Sequence, residues 1–564
     1  MLTLTGCLSH IPDKGAVSYG AEAYAPSSQN FVRTLVSPPT AGANPPTLIR
    51  EFLAAIAGDQ GDYATSRLYL APETQYVWHP EIGVRIYSDS LQLIFTHLPR
   101  GADTYAFSGA QVGTIDEQGH YERAIAGTTL FESFSVRQVN GEWRISSLED
   151  GLALSESDVA RAYRQLDIYF LNPSKRNLVP DSVYLPVNLG ISTSLIRALL
   201  AGPTRWLSPA VTTAIPFATS LDVGSVPIQQ GVANVDLSSP LVPLSASDRQ
   251  AMSAQIIWTL KQLAEVAAVR ITLGRVPLIV SGAGEAQSRF GYSSFSPDVL
   301  TGDIHPYVVD DRGLFQIANL ITKPTLAQVK SNSSANIAQF TAPAISLDGR
   351  SIAGITSAGS LVSGPLIGPF DLRVAGSPNA NWVAPSWDSD GNLWAVRNAP
   401  NQTQVYVLTP EGRTTPVLAQ VLTNRTVQGF RIARDGSRVA FAIAGPLSSR
   451  LFVARVIRLN NGMNPQFRIE APIELPWSGG TISAVNWMDA THLVILTSAT
   501  PKSVWRVGLD ASEVVNLAGV VDPVAIAAAP GMPVLVVDKA GKLSAWIGQS
   551  WIPVGAGRYP IYPG

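Results

Sequence analysis

The sequence predicts a multidomain protein in which two α+β domains are followed by an all-β propeller, counted at six blades with five or seven also compatible. Three observations carry that prediction. At 564 residues the chain exceeds what one hydrophobic core organises, since single cores stop growing at roughly 250–300 residues. Helical apolar spacing gives way near residue 304 to short strands separated by turns. Those strands resemble one another at a period of about 40–45 residues, which is the length of a propeller blade.

Composition narrows the function classes. A hydrophobic content of 46% against 15% charged residues supplies folded cores and excludes a largely disordered chain. Forty basic and 42 acidic residues give a net charge of −2 with no strong block of either sign, so no electrostatic grip on nucleic acid is expected. Cys7 is the single cysteine, which excludes an internal disulfide, cysteine-rich zinc sites and iron–sulfur clusters. No apolar run reaches the roughly 18–20 residues of a membrane-spanning helix.

Leu4-Thr5-Gly6-Cys7 reads as a lipobox, in which small residues lead to a cysteine that becomes the lipidated N-terminus. Residues 1–6 are then the remnant of a lipoprotein signal peptide. The Cys7 thiol would carry a diacylglyceryl thioether and its amine an acyl chain, and several chains together make an effective anchor where one would hold only marginally. The competing reading of Cys7 is an ordinary small core residue. Residues 7–46, rich in Ser, Pro, Ala and Gly, form the expected lipidated tether.

Residues 47–150 make the first α+β domain. Leu48, Ile49, Phe52, Leu53 and Ile56 give a helical stripe ending near Gly58, and a second short helix is expected from Tyr63 to Tyr69. Strands follow at Val84–Tyr87, Tyr105–Ile115, Thr128–Val139 and Trp143–Leu148, the last two joined by an Asn140-Gly141 hairpin turn. Helices followed by a curved antiparallel sheet that ends in Asn-Gly-Glu-Trp-Arg-Ile resemble the NTF2-like cone fold. His79, His97 and His120 have no sequence partner that would mark a site in it. The spacing of Val159, Tyr163, Leu166 and Phe170 then predicts a helical connector over residues 151–177.

Residues 178–281 form the second domain. Ser194-Leu-Ile-Arg-Ala-Leu-Leu-Ala-Gly-Pro203 reads as a helix stopped by Gly202-Pro203. Thr213-Ala-Ile-Pro-Phe-Ala-Thr219 follows, then hairpin strands at Leu221–Ile228 and Gly231–Ser238, a helix from about Ser247, and a last strand over Ala268–Leu273. This order of motifs resembles the GerMN domain of bacterial germination and surface proteins, with Ala218 standing where that family commonly has glycine. Asp236 is expected at an outward strand position facing solvent or in a helix cap rather than as a catalytic acid. Residues 282–303, rich in Gly and Ser, read as a linker.

Residues 304–564 hold the propeller. Ser346-Leu-Asp348-Gly349, Asp388-Ser-Asp390-Gly391 and Ala433-Arg-Asp435-Gly436 recur between apolar strands, with degenerate copies at Asn486-Trp487-Met-Asp489 and Ala529-Pro530-Gly531. Asp and Gly tolerate the positive backbone angles of a tight turn, so these carboxylates are structural. A last blade is expected to close between Trp551–Tyr562 and the first strands of the region. Most propeller tryptophans are expected in blade cores, with Trp382 and Trp477, placed in loops, as candidate interface residues.

The lipobox, NTF2-like segment, GerMN segment and propeller in this order resemble the LpqB family of actinobacterial lipoproteins. That resemblance implies a lipid-anchored protein on the extracytoplasmic face of the cell membrane. It further implies an accessory of the MtrAB two-component system that contacts the sensor histidine kinase ectodomain and influences cell division and envelope homeostasis. No catalytic, cofactor or metal residues come with it. Gly-x-Ser-x-Gly, His-Glu-x-x-His and phosphate-loop motifs are absent, so no enzyme is expected. Two other readings stay open: a lipoprotein that binds cell-wall peptidoglycan or glycan, and a propeller hydrolase assembled from dispersed residues.

Overall fold

A computed structural model describes residues 36–564 apart from 59–61, 91–92, 99–102, 126, 188–189, 239–242, 299–303, 330–336, 368–372, 377, 379, 400–401, 462–463 and 510–512. Cys7 lies outside the described residues. The chain forms two α+β modules and a propeller, as the apolar patterns require.

The first module opens earlier than the sequence suggests. Its helix spans Pro45–Gly58, because Asn44 caps it through Oδ1 to the Thr47 amide (3.0 Å) and prolines are tolerated in a first helical turn. The end of the expected tether is also bound to the module: Tyr69 donates its hydroxyl to the Ser37 carbonyl, and Thr40 and Gly42 hydrogen-bond Glu51 and Glu142. The sheet runs in the order Glu142–Ser147, Thr129–Val139, Thr104–Asp116, Gly83–Tyr87 and Leu152–Ser155, the last pair parallel. Asn140 and Gly141 both take positive φ (54° and 82°), the conformation that lets a two-residue turn follow the strand twist. Phe52 packs edge-on against Trp78 and Phe134, and Phe107 stacks on Phe134, so aromatic rings fill the space between helix and sheet.

The expected helical connector is corrected. Ser155 and Asp158 form a capping box that starts a helix, but it covers only Glu156–Ala162. Tyr163–Leu171 is a strand paired antiparallel with Leu178–Pro186 along its whole length. Leu166, Ile168 and Phe170 also alternate at period two, and a nine-pair ladder outweighs the weaker helical reading of the same residues.

In the second module the helix Ile191–Ala201 ends at Gly202 (φ 100°). The expected first hairpin strand shrinks to Ile228–Gln229, with Leu221 bridging Leu237 alone, because Asp222-Val-Gly-Ser225 turns instead of extending. Val232–Leu237 and Ala268–Leu273 pair in parallel, connected by the helix Ala246–Leu260 that Ser245 caps. That helix is buried from Ala251 to Leu260, since the strand pair Tyr163–Leu171/Leu178–Pro186 and the segment after residue 286 enclose it.

The segment 282–303 is more than a linker. Ala286–Gln287 adds to the edge of Ala268–Leu273, and Tyr292 is buried with its carbonyl accepting from Trp258 Nε1 (3.3 Å). One large aromatic ring sheathed against a helix fixes a stretch whose composition reads as flexible.

Six four-stranded antiparallel units make the propeller. Blade one comprises Tyr307–Asp310, Gly313–Ala318 and Thr325–Gln328, completed on its inner edge by Tyr559–Ile561. Blades two to six begin at Thr341, Asn381, Val427, Ile482 and Pro523. Closure therefore uses only the terminal strand, while the strand containing Trp551 (Ser550–Ala556) is the outer strand of blade six. The outer strands of blades three and four pair in parallel, Val417 with Phe467 and Leu418 with Arg468, which joins the two blades into one sheet. The turn glycines Gly349, Gly391, Gly436 and Gly531 all have φ between 68° and 78°, the geometry the repeated motif requires.

Ala218 adopts φ 62°, a left-handed backbone conformation that glycine takes without strain. Replacing it, Ala218→Gly, is expected to raise stability by about 1 kcal/mol, read as a higher urea midpoint at unchanged slope. An unchanged or lower midpoint would refute the strain argument.

Candidate functional site

The modules meet at Trp206, in the turn after the Gly202-Pro203 helix stop. Its indole Nε1 donates to the Ala471 carbonyl of blade four (2.6 Å), and its own carbonyl accepts from Arg455 Nη1 (2.7 Å). On the other side the His120 ring of the first module stacks on it at 6.4 Å and 11°. Arg205 next to it pairs with Glu117 (2.8 Å). The Tyr184 amide donates to the Gly119 carbonyl, and a Cβ at Gly119 would lie 2.9 Å from the Tyr184 carbonyl oxygen, so only glycine permits this approach. Burial lowers the pKa of His120, favouring the neutral ring that stacks without a charge to solvate.

The propeller docks on the second module through its first-to-second strand turns. Asn172 Nδ2 donates to the Asp435 carbonyl (3.1 Å), Arg176 pairs with Asp390 (2.8 Å), and the Ala490 amide donates to Asp298 Oδ1 (3.0 Å). Behind these contacts each turn is charge-matched. Asp388 accepts from Trp394 Nε1, the Asn392 amide and Arg458, while the fully buried Asp435 pairs with Arg438 at 2.8 Å. The aspartates found in the sequence repeat are thus structural ligands of the backbone and of arginines.

A cleft of about 3480 Å³ lies between the three modules, lined by residues such as Tyr121, Asp167, Lys261, Trp477 and Trp546. His492 on its wall is largely buried beside a carboxylate, with Nδ1 2.9 Å from Asp489. Its Nε2, however, faces Glu513 at 3.5 Å, so both ring nitrogens are engaged by carboxylates and neither is left to take a proton from a substrate. Burial alone would lower the His492 pKa, but hydrogen bonding and charge from Asp489, with Glu513, raise it above the usual value. Burial pushes Asp298 up to about 6, reinforced by Asp489, and pushes Lys261, whose Nζ sits 3.2 Å over the Trp258 ring, down to about 8. Among the described residues no group of three His, Cys, Asp or Glu side chains is placed to hold a metal ion.

The propeller axis is filled. Arg431, on the inner strand of blade four, reaches the Pro385 carbonyl of blade three (2.9 Å) and Asn486 of blade five (2.7 Å). Trp387 bonds Ala344 of blade two, Trp487 bonds the Arg431 carbonyl, and Asn486 bonds Ile526 of blade six, so side chains link neighbouring inner strands from blade two to blade six. Burial pushes the Arg431 and Arg434 guanidiniums down to about 10. Arg434 also holds the Pro563 carbonyl (2.7 Å), which ties the chain end into the same axis.

The structure places the two candidate interface tryptophans in packing roles. Trp382 is in a two-residue strand, half-buried over Gly376 and tilted against Tyr406. Trp477 closes onto its own turn through Nε1 to the Gly480 carbonyl (2.7 Å) and packs edge-on against Trp505. Asp236 accepts from Thr272 Oγ1 (2.5 Å) and the Arg275 amide, which braces the strand end; among the described residues it caps no helix. His79 and His97 are exposed beside Glu81 and Asp103. Trp206 was missed by the sequence reading; its only signal was a large aromatic in a Pro-flanked turn immediately after a recognised motif.

Two mixed α and β modules locked to a filled, six-bladed propeller define a multi-module protein built around surfaces and joints. Family profiles match along the same path: "Lipoprotein LpqB, N-terminal domain" over residues 38–160, "Sporulation and spore germination" over 167–278, and "Lipoprotein LpqB beta-propeller domain" over 321–563. "Lipoprotein LpqB" of Thermobifida fusca (strain YX) is 27% identical, covering 100% of this chain and 97% of the relative. The protein of the same name from Mycobacterium leprae (strain TN) is 26% identical over 100% and 98%. Among solved structures, TolB from Acinetobacter baumannii aligns with 57% of this chain and 86% of its own at 15% identity and a TM-score of 0.34. The chain belongs to the LpqB lipoprotein family.

Two predictions follow from this geometry. Trp206→Ala is expected to cost about 3 kcal/mol of junction stability, seen as an earlier separate calorimetric transition and a larger radius of gyration by X-ray scattering. Unchanged scattering would show that the joint is held elsewhere. Because the folded Asp298 pKa is raised to about 6, its contribution is fully present below the ordinary carboxylate range and is lost as pH rises through about 6. His492, also raised, acts in the same direction. The melting temperature of the wild type should therefore fall between about pH 4 and about pH 6, and Asp298→Asn should flatten part of that fall. An identical profile in the variant would exclude Asp298 as its source.

Proposed function

We propose that this chain is held by a lipidated Cys7 on the extracytoplasmic face of the cell membrane and serves there as a non-catalytic accessory of an MtrAB-type two-component sensor kinase, influencing cell division and the envelope. Its family membership along the full length supports the anchored reading, since the relatives are named as lipoproteins. Among the described residues no helix is long and apolar enough to cross a membrane, so attachment rests on the lipid in this proposal.

The observation that carries the accessory role is the filled propeller axis. Many ligand sites are concave, but here Arg431 and Asn486 link the inner strands around the axis and Arg434 holds the chain end there, which leaves the rigid outer surface and the cleft between the modules for recognition. A frame whose modules are joined by buried hydrogen bonds presents such a surface without losing conformational entropy on binding.

Crosslinking and mass spectrometry on membranes test both parts. Wild type is expected to carry lipid on the Cys7 peptide and to crosslink to the sensor-kinase ectodomain, whereas Cys7→Ala should appear in the medium. Retention of the variant on membranes would refute the anchor, and crosslinks to wall polymer with none to kinase would refute the accessory role.

A further inference from the structure

The first module carries an apolar surface that the joints do not use. Leu68, Tyr76, Val77 and Ile82 are exposed at 49%, 84%, 65% and 51%, and none of them lines the cleft between the modules. They are gathered around one side chain. The Arg67 guanidinium donates to the carbonyls of Gln75 and Trp78, and through Nε to that of Asp62 (3.2 Å), and it lies over the buried Trp78 ring at 5.4 Å. Tyr76 and Val77 are the two residues between the first two of those carbonyls, and Leu68 directly follows Arg67. Arg67 also borders a concavity of about 390 Å³ together with Pro80 and Glu81, which brings Ile82, the next residue, into the same neighbourhood.

The charges within this surface are engaged locally. Glu73 pairs with Arg137 (2.6 Å), Glu81 with His79 (2.9 Å), and Asp62 accepts from the Ala64 amide (3.1 Å). Arg67, the one lysine or arginine in residues 62–82, has Nε and Nη1 committed to backbone carbonyls. Contact with this surface therefore draws on apolar area and on the tyrosine ring, with little to gain from capturing an anion.

The chain enters the module beside the same surface. Val36 packs against the core of the module, and the Ser37 carbonyl accepts from the hydroxyl of Tyr69, the neighbour of Leu68 (2.9 Å). Residues 8–35 run from Cys7 to this point and, fully extended, would reach no more than about 100 Å. A lipid on Cys7 thus ties the bilayer to this module directly, whereas the propeller is connected to it only through the other modules. Tyrosine, with an apolar body and a polar tip, favours the headgroup level of a bilayer. Four such side chains bind a membrane weakly by themselves, but a tether raises their local concentration at the bilayer far enough for a weak contact to be occupied.

We infer that the surface formed by Leu68, Tyr76, Val77 and Ile82 rests on the bilayer that holds the lipid anchor, with these side chains at the boundary between headgroups and acyl chains. This rests on the anchored reading above and adds which face of the molecule meets the membrane.

The test uses the full lipidated chain in phosphatidylcholine vesicles that contain a lipid with a diazirine on its acyl chain. After illumination, lipid adducts are mapped by mass spectrometry. Adducts on peptides from residues 67–82 are expected at least about fivefold above those on propeller peptides. Tyr76→Asp with Val77→Asp should lower them at least about fivefold, and Tyr76→Ser with Val77→Ser should lower them in the same direction, at an unchanged melting temperature. Val223→Asp, at an exposed position of the second module, should leave the adduct pattern as in wild type. Adding phosphatidylglycerol should change the yield less than about twofold, and a larger rise would assign the contact to headgroup charge and overturn the apolar basis. If the Cys7 peptide carries lipid but residues 67–82 carry no adducts, or carry as many in the aspartate variant, the surface assignment is overturned while the anchor stands. If the Cys7 peptide carries no lipid, the anchored reading falls and takes the assignment with it. Loss of the adducts on adding the sensor-kinase ectodomain, with protein crosslinks at residues 67–82 in their place, would hand the surface to a protein and likewise overturn the proposal.

Discussion

The architecture depends on one indole. Trp206 is set by a helix stop within the second module, yet its ring lies against His120 of the first, and its Nε1 and carbonyl bond Ala471 and Arg455 of the third. Removing water from an aromatic body while satisfying its single donor is a favourable combination, because the apolar area is buried without leaving an orphaned polar atom. Three modules that each have their own core are thereby given one common point of attachment, and the cleft between them acquires fixed walls.

Around that point the electrostatics favour order over reactivity. Asp435 with Arg438, and Asp388 with Arg458, are enclosed pairs whose desolvation cost is offset only because further donors occupy the remaining carboxylate lone pairs. Breaking one partner of such a pair typically costs about 3–5 kcal/mol, so these turns define the register of the blades more than they add net stability. His492 follows the same logic. A histidine held between Asp489 and Glu513 is a clamp across blade five, and the geometry that makes it a good clamp is what removes it from acid–base work.

The propeller is closed twice, at its rim of strands and at its axis. Tyr559–Ile561 supplies the inner strand of blade one, which removes the open edge of a linear array, and Arg434 of blade four reaches across the ring to the Pro563 carbonyl that follows that strand. With one end of the blades occupied by the second module and the axis filled, the molecule has an intrinsic polarity: one end is a joint, the other a surface. The parallel pairing of Leu418 with Arg468 stiffens the blades that carry Trp206's partners, so the joint and the surface belong to one rigid body.

Much of this was legible before any fold was seen. Asp-Gly turns at a blade-length period, the Asn140-Gly141 hairpin, the stripe Leu48 to Ile56 and the Gly202-Pro203 stop are local signals whose cause is backbone geometry or helical spacing, and sequence records such causes directly. Residues 163–171 were misread because their apolar positions satisfy two periods at once, and only a partner strand 15 residues away decides between them. The segment 282–303 reads as a linker for a similar reason: Tyr292 looks like an isolated aromatic until Trp258 is beside it. What the sequence alone determined was the set of modules, their order and the chemistry of their turns. Which turns face inward, which histidine is spent, and which tryptophan joins the modules were decided only in three dimensions, because those are contacts between residues up to 265 positions apart whose pairing energy has no local signature.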